Sequence, residues 1–327
     1  MDGGLALGGR GAFRWEVSLK LSKPMHLYVN WGAFDELSDR VILTEELAMR
    51  QLDEYVRLRE LGVRFDGYVM DAFWYEPTGG YRTWRKRDWP DGPDRWLDGC
   101  RKEGITPGLW FSCNTLTKME PFEAWRESMD IDNHKMCMFH GGFLPDLLNT
   151  MRHWYERGFR IFKTDFVNFN AAPRCVRDTL LPSEIRAANA RAWRAGLAAL
   201  REQCPDVILI GYNGFEEEVL QRQTDLPCRK TVDPRWLDVY DSLYCGDPRP
   251  SDVPMVNFWR SMDVYSDHMV RVFHRNGFPL ERIDNMAFML GDTSTCYWRT
   301  SQAWKGMAIL FLARGGWMNT YCGDLAL

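Results

Sequence analysis

Two short stretches of the 327-residue chain carry most of its potential chemistry. The first is Phe162-Lys163-Thr164-Asp165-Phe166, an apolar–polar alternation that suits a β-strand. Successive strand side chains point to opposite faces, so Lys163 and Asp165 share one face while Phe162, Thr164 and Phe166 take the other. A lysine beside an aspartate favours the ionised carboxylate, the state in which Asp165 would be expected to act as a nucleophile. The same spacing also suits a purely structural ion pair. The second stretch is Tyr-Cys-Gly-Asp-Pro at 244–248, where Gly246 and Pro248 place Asp247 on a sharp turn. Asp252, Asp241, Asp233 and Asp238 compete with Asp247 as the partner carboxylate. Two carboxylates about 5–5.5 Å apart hydrolyse a glycoside with retention, one attacking the anomeric carbon and the other protonating the departing oxygen.

Other chemistries lack support. The nine cysteines lie singly, with no Cys-x-x-Cys pair, which argues against both a zinc site and a disulfide framework. His153, His268 and His274 fall in helical stretches and His26 near a strand start, so no His–Cys–Asp ligand cluster forms and neither a metal nor an organic cofactor is expected. No Gly-x-Ser-x-Gly supports a serine triad. Arg-Gly-Gly-Trp-Met-Asn-Thr at 314–320 is a thin match to a phosphate loop, since Gly315 and Gly316 serve equally as a helix stop. Fifteen Trp, twelve Tyr and eighteen Phe are unusual. A flat indole suits the CH face of a sugar ring, although about two-thirds of these rings are expected in ordinary packing.

The elements that would position these residues read clearly. Strands are predicted at 25–32, 66–74, 106–112, 159–166, 206–213, 237–245, 283–290 and 316–322, and helices at 44–61, 93–103, 144–157, 183–203, 260–276 and 300–314. Thr44 opens the first helix as part of a capping box, and Gly62, Gly104, Gly158, Gly277 and Gly315 follow helices as stops. Eight strands alternating with helices predict an α/β fold, a (β/α)8 TIM barrel at 25–327, with 1–24 the remnant of a preceding strand or domain. A doubly wound sheet would carry a Gly-rich phosphate turn after its first strand, and Asn-Trp-Gly-Ala-Phe at 30–34 is not one. A barrel presents the C-terminal strand ends to its active site. Those positions hold Asn30 and Trp31, Asp71 and Trp74, Trp110, Lys163 and Asp165, Tyr212 and Asn213, Asp247, and Asp292.

A formal charge of −4, with both signs spread along the chain, argues against a nucleic-acid partner. No apolar run approaches the ~20 residues that span a bilayer, and the Gly-rich N-terminus lacks a signal-peptide pattern. A cytoplasmic protein is expected, or a periplasmic or secreted one if a leader has been removed.

The motifs together resemble the related retaining α-glycosidases. Phe-Lys-Thr-Asp-Phe is similar to the nucleophile strand of melibiase-type α-galactosidases, which have Lys-Trp-Asp, and of the α-xylosidase/α-glucosidase family, which has Lys-Thr-Asp-Phe. Gly-Leu-Trp-Phe at 108–111 resembles the third-strand signature of the α-galactosidases. Asp-Ala-Phe-Trp-Tyr-Glu at 71–76 resembles their Asp-Asp-Gly-Trp-Phe, and Asn30-Trp31 their Asn-Ser-Trp. The similarity runs in order over about 25–250. It implies a retaining exo-α-glycosidase, α-galactosidase-like, acting on an oligosaccharide or glycoconjugate. Asp165 would be the nucleophile and Asp247 the acid/base, with Asp71, Trp74, Trp110, Lys163, Trp31, Asn213 and Arg235 binding the sugar. Ala72 and Thr164 depart from the α-galactosidase pattern, and the C-terminal β-sandwich that usually follows such barrels is expected to be absent. The alternatives are α-xylosidase/α-glucosidase or α-N-acetylgalactosaminidase specificity, or a non-catalytic carbohydrate-binding barrel.

Overall fold

The computed structural model describes residues 24–30, 42–60, 62, 64–71, 74–120, 122–132, 134–212, 214–215, 233–244, 278–290 and 317–322. In chain order these form β1 (His26–Val29), α1 (Glu45–Glu60), β2 (Gly67–Met70), α2 (Asp94–Glu103), β3 (Thr106–Ser112), α3 (Phe143–Glu156), β4 (Ile161–Asp165), the single turn α4 (Arg174–Arg177), α5 (Pro182–Gln203), β5 (Ile208–Gly211), β6 (Ser242–Tyr244), β7 (Ile283–Leu290) and β8 (Trp317–Cys322). All neighbouring strands pair in parallel, and β8 pairs back onto β1, so the sheet closes into a barrel. Helices follow β1 to β4; the predicted helices at 260–276 and 300–314, like residues 1–23, lie outside the described residues.

Local chemistry explains the boundaries. The Thr44 hydroxyl accepts the Leu47 N–H at 3.2 Å, capping α1. With Leu47 rather than a glutamate at the third helical position, the reciprocal half of the capping box is missing. Gly104 ends α2 at φ +66°, where its N–H and that of Ile105 reach back to the carbonyls of Arg101 and Cys100. The sixth strand is shorter than predicted: its first residues form a 3-10 helix, Pro234–Asp238, because Pro234 is pre-set for a helix start and Asp233 caps the Arg235 N–H at 2.9 Å.

Two apolar layers result. Outside the sheet, Tyr28, Tyr68, Leu109, Phe111, Phe162, Leu209 and Leu243 pack against the helices. Inside, Leu27, Val29, Val69, Ile161, Ile208 and Ile210 fill the barrel, with Tyr212 and Tyr244 at its C-terminal end. Gly67 and Gly108 make room for that plug: a Cβ on Gly67 would lie 2.5 Å from Ile161 Cδ1, and one on Gly108 2.8 Å from Ile161 Cβ. Cys100, Cys113, Cys137 and Cys204 are buried free thiols, and Cys175 is exposed. Among the described residues no helix is long and apolar enough to cross a membrane.

His26 makes the fold pH-sensitive. Its buried ring lies 4.4 Å from that of Phe65, and burial, opposed by a hydrogen bond from the ring to the Arg64 backbone carbonyl, lowers its pKa to about 4. The unfolded chain takes up this proton near pH 6.5, the native state only near 4, so stability falls as pH drops through that window. Unfolding titrations at pH 7 and pH 4.5 should show the wild type losing about 2–3 kcal/mol more than His26→Phe, which keeps the ring contact. Equal losses in both would refute this.

Candidate active site

The C-terminal ends of β2, β3 and β4 converge on one cluster. Register sets Trp110 beside Lys163 and Ser112 beside Asp165, while Asp71 directly follows β2. Lys163 and Asp165 both face the barrel interior; Phe162 packs outside against Phe111, as alternation predicts. Lys163 Nζ lies 2.7 Å from Asp71 Oδ2, with 5% and 3% of the two side chains exposed. The ammonium also sits 4.1 Å from the centroid of the Tyr212 ring, which stacks on Tyr244 at 4.5 Å and 8°. Strand alternation along β4 alone could not reveal this cross-barrel partner. The Asp71 N–H is held by Asn30 Oδ1 at 2.7 Å, and Asn30 itself is buried.

Asp165 is fixed at both oxygens. Trp110 Nε1 donates to Oδ2 at 3.2 Å and the Phe166 amide donates to Oδ1 at 2.8 Å, while the Asp165 carbonyl accepts the Cys113 N–H at 2.6 Å. N–H donors on a carboxylate stabilise its charge and hold its rotamer. Burial, and next the charge of Asp165, push the neighbouring Cys113 thiol well up, so it stays protonated.

One expectation fails at the next residue. Phe166 does not continue the outward face of the strand: β4 ends at Asp165, and Phe166 adopts φ +50°. The residue is 41% exposed, and its ring stands edge-on to that of Trp110, with centroids 6.1 Å apart. A left-handed conformation costs an L-residue roughly 1–2 kcal/mol. The surrounding loop is over-determined by asparagines that the sequence reading did not single out. Asn114 Oδ1 accepts the Asn168 N–H at 2.7 Å and its Nδ2 donates to the Asn168 carbonyl at 2.9 Å. Asn189 Nδ2 donates to the carbonyls of Phe169 and Ala171, both at 2.8 Å. A signal for Asn189 was present: it interrupts the buried stripe Ile185, Trp193, Leu197 of α5, and a polar group there must be hydrogen-bonded.

The other predicted residues divide. Trp74, expected to wall a sugar, is 2% exposed, packs against Trp84, Phe111 and Trp154, and gives its N–H to the Trp110 carbonyl at 2.8 Å. It is a support for Trp110, since an indole enclosed by other rings has no face left for a ligand. Tyr75 stacks parallel to Trp110 at 6.3 Å, and Tyr81 accepts the Ser112 N–H at 3.2 Å; neither was predicted as part of the cluster. Burial first, then Tyr81 and Asp71, raise the Tyr75 phenol well above its ordinary pKa. Thr164 lies outside the barrel, where its hydroxyl meets Tyr240 Oη at 2.7 Å, so its departure from the α-galactosidase tryptophan does not touch the interior cluster.

Arg235, expected at the sugar, is paired with Asp233 at 2.6 Å on the 3-10 helix before β6, with 64% of its side chain exposed. Local pairing explains this placement, because Asp233 caps that helix. Three competitors for the second carboxylate are likewise engaged: Asp233 here, Asp241 by Arg201 and the Leu209 N–H, and Asp238 by Arg194 at 3.5 Å. Asp247 and Asp252, with Trp31, Ala72, Asn213 and Asp292, lie outside the described residues.

No protein-family model matches the sequence, and a search of curated proteins finds no similar one. Solved structures do match. An α-galactosidase from Lactobacillus brevis aligns with TM-score 0.61 at 14% identity, over 92% of this chain and 38% of that one. A GH36 α-galactosidase from Geobacillus stearothermophilus aligns with TM-score 0.59 at 14% identity, over 91% and 39%. An α-galactosidase from Thermus thermophilus, in complex with stachyose, aligns with TM-score 0.56 at 16% identity, over 92% and 62%. The likeness is one of fold, and the chain spans less than two thirds of each of these proteins.

Proposed function

We propose that the protein is a retaining exo-α-glycosidase of α-galactosidase type, built on a complete (β/α)8 barrel. The observation that carries this reading is Asp165, gripped at both oxygens at the C-terminal end of β4 and adjoining the buried Asp71–Lys163 pair. The fold it shares with α-galactosidases supports the same reading. In the first step an Asp165 oxygen bonds to the anomeric carbon while the glycosidic C–O bond breaks, and Asp247 gives its proton to the departing oxygen. In the second, Asp247 takes a proton from water, whose oxygen displaces Asp165 from the sugar. Asp71 and Lys163 bind the hydroxyls of the terminal sugar, and Trp110 orients Asp165. Trp31 and Asn213, which end their predicted strands, complete the sugar site.

The test is a panel of 4-nitrophenyl α-glycosides of galactose, N-acetylgalactosamine, glucose and xylose, with the first-formed anomer identified by NMR. The α-galactoside should turn over fastest and release the α-anomer first. Sugar binding by calorimetry without turnover of any glycoside would favour a carbohydrate-binding barrel, and release of the β-anomer first would exclude retention.

A further inference from the structure

We infer that Phe166 is a specificity-determining platform at the pocket rim, receiving the apolar face of the group to which the sugar is joined. The inference rests on the glycosidase reading and extends it to the far side of the scissile bond. Asp71, Lys163, Trp110 and Asp165 are each at most 5% exposed, so this cluster lies beneath the surface. Phe166 is the residue directly after Asp165 and packs on Trp110, yet it is 41% exposed, so beside the buried cluster it is an apolar group that reaches solvent. Packing does not account for a large apolar side chain left in water. Nor does the backbone, because φ +50° is a conformation that glycine or asparagine adopts more readily than phenylalanine. An unfavourable conformation at a reactive carboxylate persists where the strained residue has a task.

The ring is also held in place. Its edge-on contact with Trp110 and the bond from its amide to Asp165 fix one end, and the Asn114 and Asn189 bonds fix the loop that follows. A rigid aromatic face takes an aryl group or the CH face of a second pyranose, and gains nothing from a small alkyl group. The favoured substrates are therefore α-glycosides whose leaving group is aromatic or itself a sugar ring.

The experiment compares kcat/KM for the benzyl and methyl α-glycosides of the sugar preferred in the panel, two leaving groups of similar acidity and different apolar area. In Phe166→Ala the benzyl-to-methyl ratio of kcat/KM should fall about tenfold, the ratio to which ~1.4 kcal/mol corresponds, on top of any loss the two substrates share through the contacts of Phe166 with Asp165 and Trp110. Phe166→Tyr, which keeps the ring, should hold that ratio within about twofold of the wild type. Phe166→Gly removes the ring in a residue that adopts this backbone freely, and substitutes for the alanine variant if that fails to fold. An unchanged benzyl-to-methyl ratio in a ring-less variant that still turns both over overturns the platform alone. No turnover of any glycoside in the panel by the wild type overturns the glycosidase reading, and the platform with it.

Discussion

Replacing Asp165 with alanine is expected to lower turnover of an aryl α-galactoside by about four to six orders of magnitude, the scale reached when a hydrolase loses its nucleophile. Azide should then restore product formation. It fits where the carboxylate stood, forms the C–N bond from the same side, and expels the phenolate, leaving a β-glycosyl azide with inverted configuration. Loss of activity alone would not separate chemistry from folding, because truncation strips the buried N–H of Trp110 and the half-buried N–H of Phe166 of their acceptor. Each buried donor left unpaired costs about 1–3 kcal/mol. Asp165→Asn keeps one carbonyl acceptor there and should fold more nearly as the wild type, with equally little activity. A variant that stays active, or a folded Asp165→Ala that azide does not rescue, removes Asp165 from the nucleophile's role.

The second large effect concerns the Asp71–Lys163 pair. Taking away one member of a buried ion pair leaves an uncompensated charge, so Asp71→Leu or Lys163→Met should each destabilise the fold by about 3–5 kcal/mol in denaturant titrations. The double variant should recover most of that loss, since an apolar pair of similar volume is often as stable as the ions it replaces. Activity should not return with it. Stability restored without turnover would mark the pair as retained for binding the sugar. A double variant as active as the wild type would reduce it to a structural feature. The Tyr212 ring beneath the ammonium belongs to the same balance, and the Leu/Met pair leaves that ring in contact with carbon.

Much of this was legible beforehand because it is local. Each of the eight predicted strands overlaps one in the structure, and the helices after β1, β2, β3 and β4 fall within two residues of the expected bounds. Period-two and period-3.6 patterning, a capping threonine and glycine stops are properties of a few adjacent residues. The inward pair Lys163 and Asp165 follows from the same alternation. Where local signals competed, the reading erred: Asp233-Pro234 turned the start of the predicted sixth strand into a 3-10 helix, and that helix carried Arg235 to an exposed pairing.

Residue types and their spacing were enough to establish a parallel α/β barrel with carboxylates at one end, for these depend on backbone periodicity and on which side chains avoid water. Partnership was not settled at that level. That Lys163 reaches Asp71 across 92 residues, that Trp74 faces other rings, and that Phe166 turns from the outer face to the rim all depend on where distant segments meet once the sheet has closed. Side-chain contacts across a barrel are decided by register and closure, and neither is written in the neighbours of any one residue.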